Sequence, residues 1–192
     1  MAGHSKWAQI KRGKAVTDAA RSRVFSKFAR EIALESKKAG GSLSSPGLAA
    51  VIARAKAANM PKDNIDRAVT KGTSKDAGEL DQLVYECYGP AGVAIVVDAL
   101  TDSRNRTTQE IKHLMSKNDV ELLVPGAASW AFTASPNNDG SRFTPNEPLT
   151  EITGDDEEKL QTLLSALDEH DDVQAVYTNA RGYESTYESA GN

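Results

Sequence analysis

The sequence predicts an α+β fold: a small three-helix N-terminal lobe followed by an α+β lobe with a mixed or antiparallel sheet and helices on one face. Helices are predicted first because apolar residues up to about residue 71 recur every three or four positions. A sheet is predicted next because short apolar runs bounded by Gly and Pro begin near residue 80. Charge changes at the same place, since residues 1–75 contain 16 Lys and Arg against 5 Asp and Glu, and residues 76–192 contain 7 against 22. The net charge of −4 therefore conceals a basic block that points to a polyanionic partner such as a nucleic acid.

The first predicted helix covers residues 18–38. Asp18 suits its N-cap position, because a side-chain oxygen there accepts a hydrogen bond from a free N–H group of the first turn, and Gly40 follows its last turn. Residues three or four positions apart share one face of a helix, so an apolar and a cationic face can be assigned. The apolar face holds Val24, Phe25, Phe28 and Ile32, and the nearly opposite face holds Arg23, Lys27, Arg30 and Lys37.

Two shorter helices follow. Pro46 suits the first turn of a helix over residues 46–58, and Pro61 suits the start of another over residues 62–71. Gly72 is predicted to lie just after the end of the last helix. Each helix has one apolar face, so the three make a small all-α lobe. The residues predicted to face inward are Leu48, Val51, Ile52, Ala55, Ile65, Ala68 and Val69.

The later elements are predicted to form the α+β lobe. A turn signal at residues 89–92 separates two strands, and four acids at residues 155–158 suit the positive end of a helix dipole. The order is strand, strand, helix, strand, strand, helix, strand. The predicted ranges are 83–88 and 93–100 for strands, 107–117 for a helix, 127–133 and 149–153 for strands, 155–169 for a helix and 173–178 for the last strand.

Two segments lack such patterns. Residues 135–148 include 10 Ser, Pro, Asn, Asp or Gly among 14 positions and are predicted to form an exposed loop. The polar tail, residues 181–192, is predicted to be disordered. We therefore expect a basic arm and three-helix lobe over residues 1–75, an α+β lobe over residues 76–180, and the tail.

Several classes of function are disfavoured. The single Cys87 allows no intramolecular disulfide and lies in a strand-like run, as expected for a packed core thiol. The chain has no phosphate-binding glycine motif, and its three His residues lack metal-ligand spacing. We therefore expect no enzymatic activity, cofactor, metal or small-molecule substrate. No secretory signal or bilayer-length apolar run is present, so we expect a soluble, cytoplasmic protein without a membrane partner.

The segment before the first helix is predicted to be a flexible basic arm. Its cations Lys6, Lys11, Arg12 and Lys14 could contact phosphates. Trp7 could stack on a base, or it could fill a hydrophobic gap as the arm folds onto the helical lobe. The sequence leaves both interpretations open.

The cationic face of the first helix is the best candidate for a structured phosphate-binding surface. The alternatives are a solvated face supported by Glu31 and Glu35, or an acidic half that folds back on the basic one. Other cations of the lobe expected to bind nucleic acid are Arg54, Lys56, Lys62 and Arg67.

Arg104 and Arg106 lie where a strand leads into a helix in the acidic half. Arginine is disfavoured at a helix N-terminus by the helix dipole, so two of them there need a reason. Together with free N–H groups they could form an anion site, or they could pair with nearby Asp or Glu. Neither interpretation is preferred.

Several distinctive motifs are spread over nearly the whole chain. They are residues 2–8 with 10–11, 59–68, 88–90, 99–102, 104–107, 129–130, 171–174 and 176–177. These motifs resemble those of the YebC/PmpR family of probable transcriptional regulatory proteins and run in the family's order. The resemblance implies a helical N-terminal lobe followed by α/β lobes, and a regulator that binds nucleic acid. Family members usually carry a further α/β lobe where this chain has only residues 135–148, so two lobes are expected instead of three.

Two nucleic-acid partners remain open. The first hypothesis is a transcriptional regulator that binds duplex DNA. The second follows from relatives that include a mitochondrial translational activator, and it is a ribosome-associated factor that binds ribosomal RNA or tRNA. The chain shows no standard helix-turn-helix code for reading bases, which leaves recognition of shape or of RNA open. A protein–protein adaptor is the third alternative.

Overall fold

The structure, a computed structural model, describes residues 6–13, 18–74, 78–134 and 141–187, with the backbone alone for residues 11–13. The helices are α1 (Lys6–Gly13), α2 (Asp18–Lys38), α3 (Pro46–Ala57), α4 (Lys62–Thr73), α5 (Arg104–Lys117) and α6 (Gly154–Asp168). The strands are β1 (Asp81–Tyr88), β2 (Ala94–Thr101), β3 (Phe132–Ala134), β4 (Phe143–Pro145) and β5 (Val173–Thr178). The predicted α+β class is confirmed.

Helices α2, α3 and α4 pack around one apolar cluster and form the helical lobe. Gly72 lies inside α4 rather than after it, so the helix end predicted there is wrong. A Cβ atom at this position would lie 2.3 Å from the carbonyl oxygen of Ala33 in α2, and glycine therefore permits the close approach of the two helices. The buried residues of this cluster are Phe28, Ile32, Leu48, Val51, Ala55, Met60, Ile65 and Ala68.

A three-stranded antiparallel sheet in the order β1-β2-β5 forms the centre of the other lobe. All eight residues of β2 are buried, because both faces of the sheet are covered. Helices α5 and α6 pack on one face, where apolar side chains of all three strands meet Ile111, Met115 and the leucines of α6. The predicted helices on one face are thus observed, and this face holds the main core.

On the second face of the sheet, a short hairpin packs against the strands. β3 and β4 pair as an antiparallel hairpin, and Phe132 and Phe143 pack against Val96 and Tyr177 of the sheet. The prediction of an exposed loop over residues 135–148 is therefore wrong at its end, where β4 lies. Residues 135–140 fall outside the described part.

Two predicted strands are absent or shortened. The strand predicted over residues 127–133 is wrong except at its end, because a 3₁₀ turn, Ser129–Ala131, precedes β3. The buried carboxylate of Glu86 in β1 accepts N–H bonds from this segment and holds it in a turn. The strand predicted over residues 149–153 is also wrong, since only Thr150 bridges to Ala180.

The tail is ordered as far as the structure describes it. Tyr183 and Thr186 are buried, and the N–H group of Thr186 donates to the carbonyl oxygen of Val176 at 2.8 Å. The prediction of a disordered tail over residues 181–192 is therefore wrong for residues 181–187. Residues 188–192 lie outside the described part. Of the helices described, none is both long and apolar enough to cross a membrane.

Candidate nucleic-acid interface

The N-terminal segment is docked rather than free. Trp7, in α1, is only 4% exposed and belongs to the main core of the α+β lobe. Its backbone N–H donates to the carbonyl oxygen of Gly182 at 3.2 Å, and Lys6 forms an ion pair with Glu157 at 3.0 Å. For the described residues 6–13, the prediction of a flexible arm is therefore wrong, and so is base stacking by Trp7. Trp7 fills a hydrophobic gap, as the alternative stated, but in the α+β lobe and not in the helical lobe. The side chains of Lys11 and Arg12, and all of Lys14, lie outside the described part.

The middle of the cationic face of α2 is also occupied. The Lys27 ammonium lies 2.9 Å from both a carboxylate oxygen and the carbonyl oxygen of Asp168. Arg30 donates to the carbonyl oxygen of Asp171 and forms an ion pair with Asp172 at 3.1 Å. An open phosphate surface is therefore wrong at Lys27 and Arg30, because the acidic half folds back on the basic half there.

Asp172 is the centre of this contact. Burial alone would raise the pKa of its carboxyl, but hydrogen bonds from Thr107 and Arg106 and the charge of Arg30 outweigh burial and lower the pKa. Asp172 therefore stays charged and holds α2 and α5 together.

The contacts of Arg106 decide between an anion site and pairing with nearby carboxylates. It lies 2.8 Å from Asp172, 3.0 Å from Asp102 and 3.8 Å from Glu110. The pairing interpretation holds for Arg106, and the anion site is wrong there because carboxylates surround the guanidinium. Arg104 remains exposed, with one carboxylate oxygen, on Asp81, at 3.6 Å.

Arg54 is buried against the other lobe. It forms an ion pair with Glu31, and its guanidinium carbon lies 5.4 Å from the ring centroid of Tyr187. Burial, the largest effect, raises the pKa of Glu31, although Arg54 opposes it. Only 7% of Arg54 is exposed, so the expected contact with nucleic acid is wrong at this residue.

The open cations lie on the other side of α2. We define the α2–α4 cleft as the open groove of about 580 Å³ between these helices and the edge of the α+β lobe. Lys37, Arg67 and Lys71 line it, and among the described residues no carboxylate lies within ion-pair distance of any of them. Other polar groups in its lining are Ser22, Ser26, Arg30, Asn64 and Asp102.

The geometry of α4 explains how the cleft obtains its charge. Arg67 and Lys71 are four residues apart and therefore share one helix face. Arg67 is held in place because its Nε donates to the carbonyl oxygen of Asp63 at 3.2 Å. The sequence prediction does not include Lys71, although its spacing of four residues from Arg67 is the signal that reveals it. Lys56 and Lys62 are exposed elsewhere on the lobe, and Arg23 is half-buried.

Two buried carboxylates were also missed. Burial alone would raise the pKa of Glu86, but N–H bonds from Gly126, Ala128 and Ser129 at 2.7–2.8 Å together lower it. Burial raises the pKa of Asp98 to about 6 even though Arg142 lies at 2.6 Å. Neither residue has a sequence signal, because both partners come from distant segments.

One group of side chains in the described part has the composition of a metal site. Glu110, His170 and Asp172 bring one ligand atom each to within 4.8 Å of one another. However, Nδ1 of His170 accepts the N–H of Asp172 at 3.1 Å, so Nε2 carries the proton of a neutral ring and donates to Glu110 at 2.9 Å. With Arg30 and Arg106 also on Asp172, the group is an ion-pair network rather than a metal site.

Comparison with known proteins matches most of the chain. Residues 5–75 match the model of the TACO1/YebC protein N-terminal domain, and residues 80–137 and 134–180 match that of the TACO1/YebC second and third domain. A "Probable transcriptional regulatory protein" of Thermosipho melanesiensis is 37% identical over an alignment 235 positions long, which covers 93% of each chain. A protein of the same name from Chlorobium luteolum is 35% identical over an alignment 247 positions long, which covers 98% of this chain and 99% of that protein.

A solved structure agrees with the fold. The crystal structure of a conserved hypothetical protein from Aquifex aeolicus has a TM-score of 0.79 and 31% identity, and the match covers 92% of this chain and 97% of that chain. Both sequence alignments are longer than the 192 residues of this chain, so those relatives contain residues that this chain lacks. This agrees with a shorter region in this chain where the two matches to the second and third domain model, residues 80–137 and 134–180, meet.

Proposed function

This chain belongs to the TACO1/YebC family, and on that premise we propose that it regulates transcription by binding DNA through its helical lobe. The observation that supports the proposal is the α2–α4 cleft, where three cations from two helices remain unpaired in the described part of the chain. Most protein–DNA hydrogen bonds go to phosphate and sugar oxygens, and exposed Lys and Arg provide them. The proposal is one of binding, without catalysis.

Charge distribution supports a defined orientation on the duplex. The α2–α4 cleft and the exposed Lys56 and Lys62 would face the phosphates. Residues 76–192 carry 22 Asp and Glu against 7 Lys and Arg, so this part would be repelled by the same phosphates. One face of the molecule would then contact DNA while the other stays free for protein partners.

Salt-dependent binding tests the proposal directly. We compare the wild type with Lys37→Gln/Arg67→Gln/Lys71→Gln by fluorescence anisotropy on a labelled 30-bp duplex. Each lost phosphate contact lowers the slope of log affinity against log salt by about 0.9, so we expect a slope smaller by about 2 to 3 and at least roughly tenfold weaker binding near 0.1 M salt.

A matched control separates this cleft from bulk charge. Lys112→Gln/Lys117→Gln/Lys159→Gln removes the same charge from exposed positions of the α+β lobe. We expect it to bind DNA like the wild type within about twofold, since an exposed charge outside the contact is screened by salt. Equal losses in the two variants would remove the α2–α4 cleft from the proposal.

The nature of the nucleic acid needs a cellular measurement. Lysate is sedimented through a sucrose gradient with and without RNase, and the protein is detected by blotting. We expect it to stay away from the ribosomal fractions. Comigration with ribosomes that RNase disturbs would replace transcriptional control with the ribosome-associated alternative.

A further inference from the structure

A second groove lies on the opposite side of α2 from the α2–α4 cleft. We call it the interlobe cleft: it measures about 690 Å³ and lies between α2 and α3 of the helical lobe and β2, β5 and the β3–β4 hairpin of the other lobe. Its size falls within the range typical of small-molecule sites, about 300–1,000 Å³. The nucleic-acid proposal makes no use of it.

Buried donors without partners concentrate among the residues that line this cleft. Five buried side-chain polar atoms of the described residues have no hydrogen-bond partner, and four belong to residues lining the interlobe cleft. They are Nε and Nη1 of Arg54, Nε2 of Gln174 and the hydroxyl of Tyr187. Buried polar groups in native proteins nearly always bond to protein, ordered water or a ligand, so these donors are available to acceptors of a bound molecule.

Arg54 is the strongest of these observations. Its side chain is 9% exposed, and within the described part of the chain Nη2 is the one nitrogen that donates a hydrogen bond, to Glu31. A buried guanidinium with two unpartnered nitrogens is costly, because each unmade hydrogen bond leaves a desolvated donor. An oxygen acceptor in the cleft would relieve that cost.

The walls of the cleft favour a flat ligand. Four aromatic side chains line it, from α2, the hairpin, β5 and the segment after β5: Phe28, Phe143, Tyr177 and Tyr187. The rings of Phe143 and Tyr177 meet edge to face at 5.4 Å, and Arg54 lies over Tyr187 at 5.4 Å. Aromatic faces and edges of this kind pack well against another ring.

The charges of the cleft argue against a phosphate-bearing ligand. Each cation in its lining already has a carboxylate partner, so little positive charge remains for a multiply charged anion. The pairs are Lys27 with Asp168, Arg54 with Glu31, Lys38 with Glu35 and Arg142 with Asp98. The groups in the lining that still lack a partner are hydrogen-bond donors, and a neutral or singly charged oxygen can accept from them.

We propose that the interlobe cleft binds a planar aromatic small molecule that carries carbonyl or carboxylate oxygens on one edge. The ring lies among the aromatic side chains, and the oxygens accept hydrogen bonds from Arg54, Gln174 and the Tyr187 hydroxyl. Because these residues come from both lobes, the ligand would join the lobes. This inference does not depend on DNA binding and can hold or fail separately.

The test uses three probes with the same ring system on the full chain. 2-Naphthoate and 2-acetonaphthone carry the oxygens, one charged and one neutral, and naphthalene lacks them. Binding is followed by saturation-transfer NMR and by titration of fluorescence. We expect at least one oxygen-bearing probe to bind at least tenfold more tightly than naphthalene. The proposal is overturned if neither oxygen-bearing probe binds, or if all three probes bind with equal affinity.

Two variants localise the binding. Tyr187→Phe removes a hydroxyl that has no hydrogen-bond partner among the described residues, and Arg54→Lys keeps a positive charge beside Glu31 while removing the guanidinium nitrogens. We expect about tenfold weaker binding of the oxygen-bearing probe in each, with naphthalene unchanged. Tyr88→Phe, at an exposed tyrosine outside the cleft, is the control and should bind like the wild type. Unchanged affinity in Tyr187→Phe and Arg54→Lys would place the probe elsewhere and sink the proposal.

Discussion

The helical lobe carries positive charge on two sides, and the two sides differ in what their cations contact. Toward the α+β lobe, Lys27, Arg30 and Arg54 each have a carboxylate partner. In the α2–α4 cleft, Lys37, Arg67 and Lys71 have none among the described residues. In the sequence, the paired and the unpaired cations cannot be distinguished, so positive charge alone does not identify a binding surface. We propose that the cations left over after internal pairing mark the surface that binds nucleic acid.

The acidic partners of Lys27 and Arg30 come from one short segment, whereas the partner of Arg54 is Glu31 of α2 itself. Asp168 ends α6, and Asp171 and Asp172 lie in the turn before β5. About 140 residues of chain separate them from the cations of α2. The turn therefore converts one part of a basic helix into a lobe–lobe contact and leaves the rest available.

The largest effect that we expect tests the docking of the N-terminal segment. Trp7→Ala removes a buried side chain from the core of the other lobe and should lower the free energy of unfolding by about 3–5 kcal/mol. Trp130, which is 67% exposed, supplies a matched control, and Trp130→Ala should cost much less. The free energies come from urea unfolding. Similar small losses in both variants would mean that the basic arm is free.

A second test uses the pH dependence of two buried acids with opposite shifts. Burial raises the pKa of Asp98 from 3.8 to about 6, so the folded protein retains a proton that the unfolded chain releases between pH 4 and 6. Stability from this group is lost as pH rises through that window. At about 1.36 kcal/mol per pH unit, Asp98→Asn should therefore gain about 3 kcal/mol relative to the wild type between pH 4 and 7.

For Asp172, stability changes with pH in the opposite direction. Its pKa is lowered in the folded protein, so its contribution is present above the ordinary pKa of 3.8 and is lost as pH falls below that value. Asp172→Asn should therefore be destabilised at neutral pH, with a deficit that shrinks in acid. Urea unfolding of the three proteins from pH 3 to 7 measures both slopes. Parallel curves for the two variants would contradict the assigned environments.

A smaller change in stability is expected when one lysine on each side of the helical lobe is replaced. Lys27→Met leaves the buried Asp168 without its ammonium partner and should cost about 2 kcal/mol, less than a fully buried pair because 17% of the Lys27 side chain is exposed. Lys71→Met removes an exposed cation and should change stability by less than about 0.5 kcal/mol. Urea midpoints for the two variants give the comparison, and equal midpoints would mean that the lobe–lobe pair contributes nothing.

Local patterns predicted the elements well where local interactions decide. The strand over residues 173–178 and the starts of α3 and α4 were predicted because proline positions and apolar spacing act within a few residues. The strand over residues 127–133 was wrong because Glu86, some 40 residues away, binds the backbone of that segment. The tail was misjudged for the same reason, since Tyr183 is buried by distant residues.

The candidate site shows the same limit. Composition predicted that the first part of the chain is basic, helix spacing placed Lys37 on the cationic face of the first helix, and Arg67 was listed among the other cations of the lobe. It could not separate them from Lys27 and Arg30, because the pairing of those two depends on a turn beyond residue 167. Long-range pairing has no short-range signal, so sequence reasoning overestimated the cationic surface.

The smallest stability effect is expected where the effect on binding is largest. Lys37→Gln/Arg67→Gln/Lys71→Gln removes three exposed cations that share one cleft, so the unfolding free energy should stay within about 0.5 kcal/mol of the wild type. Any change should be a slight gain at low salt, because like charges repel one another. Urea unfolding at 50 and 500 mM NaCl measures this, and the gain should vanish at the higher concentration. A loss larger than that seen for Lys27→Met would show that these cations are structural, and the contrast between the two sides of the lobe would no longer hold.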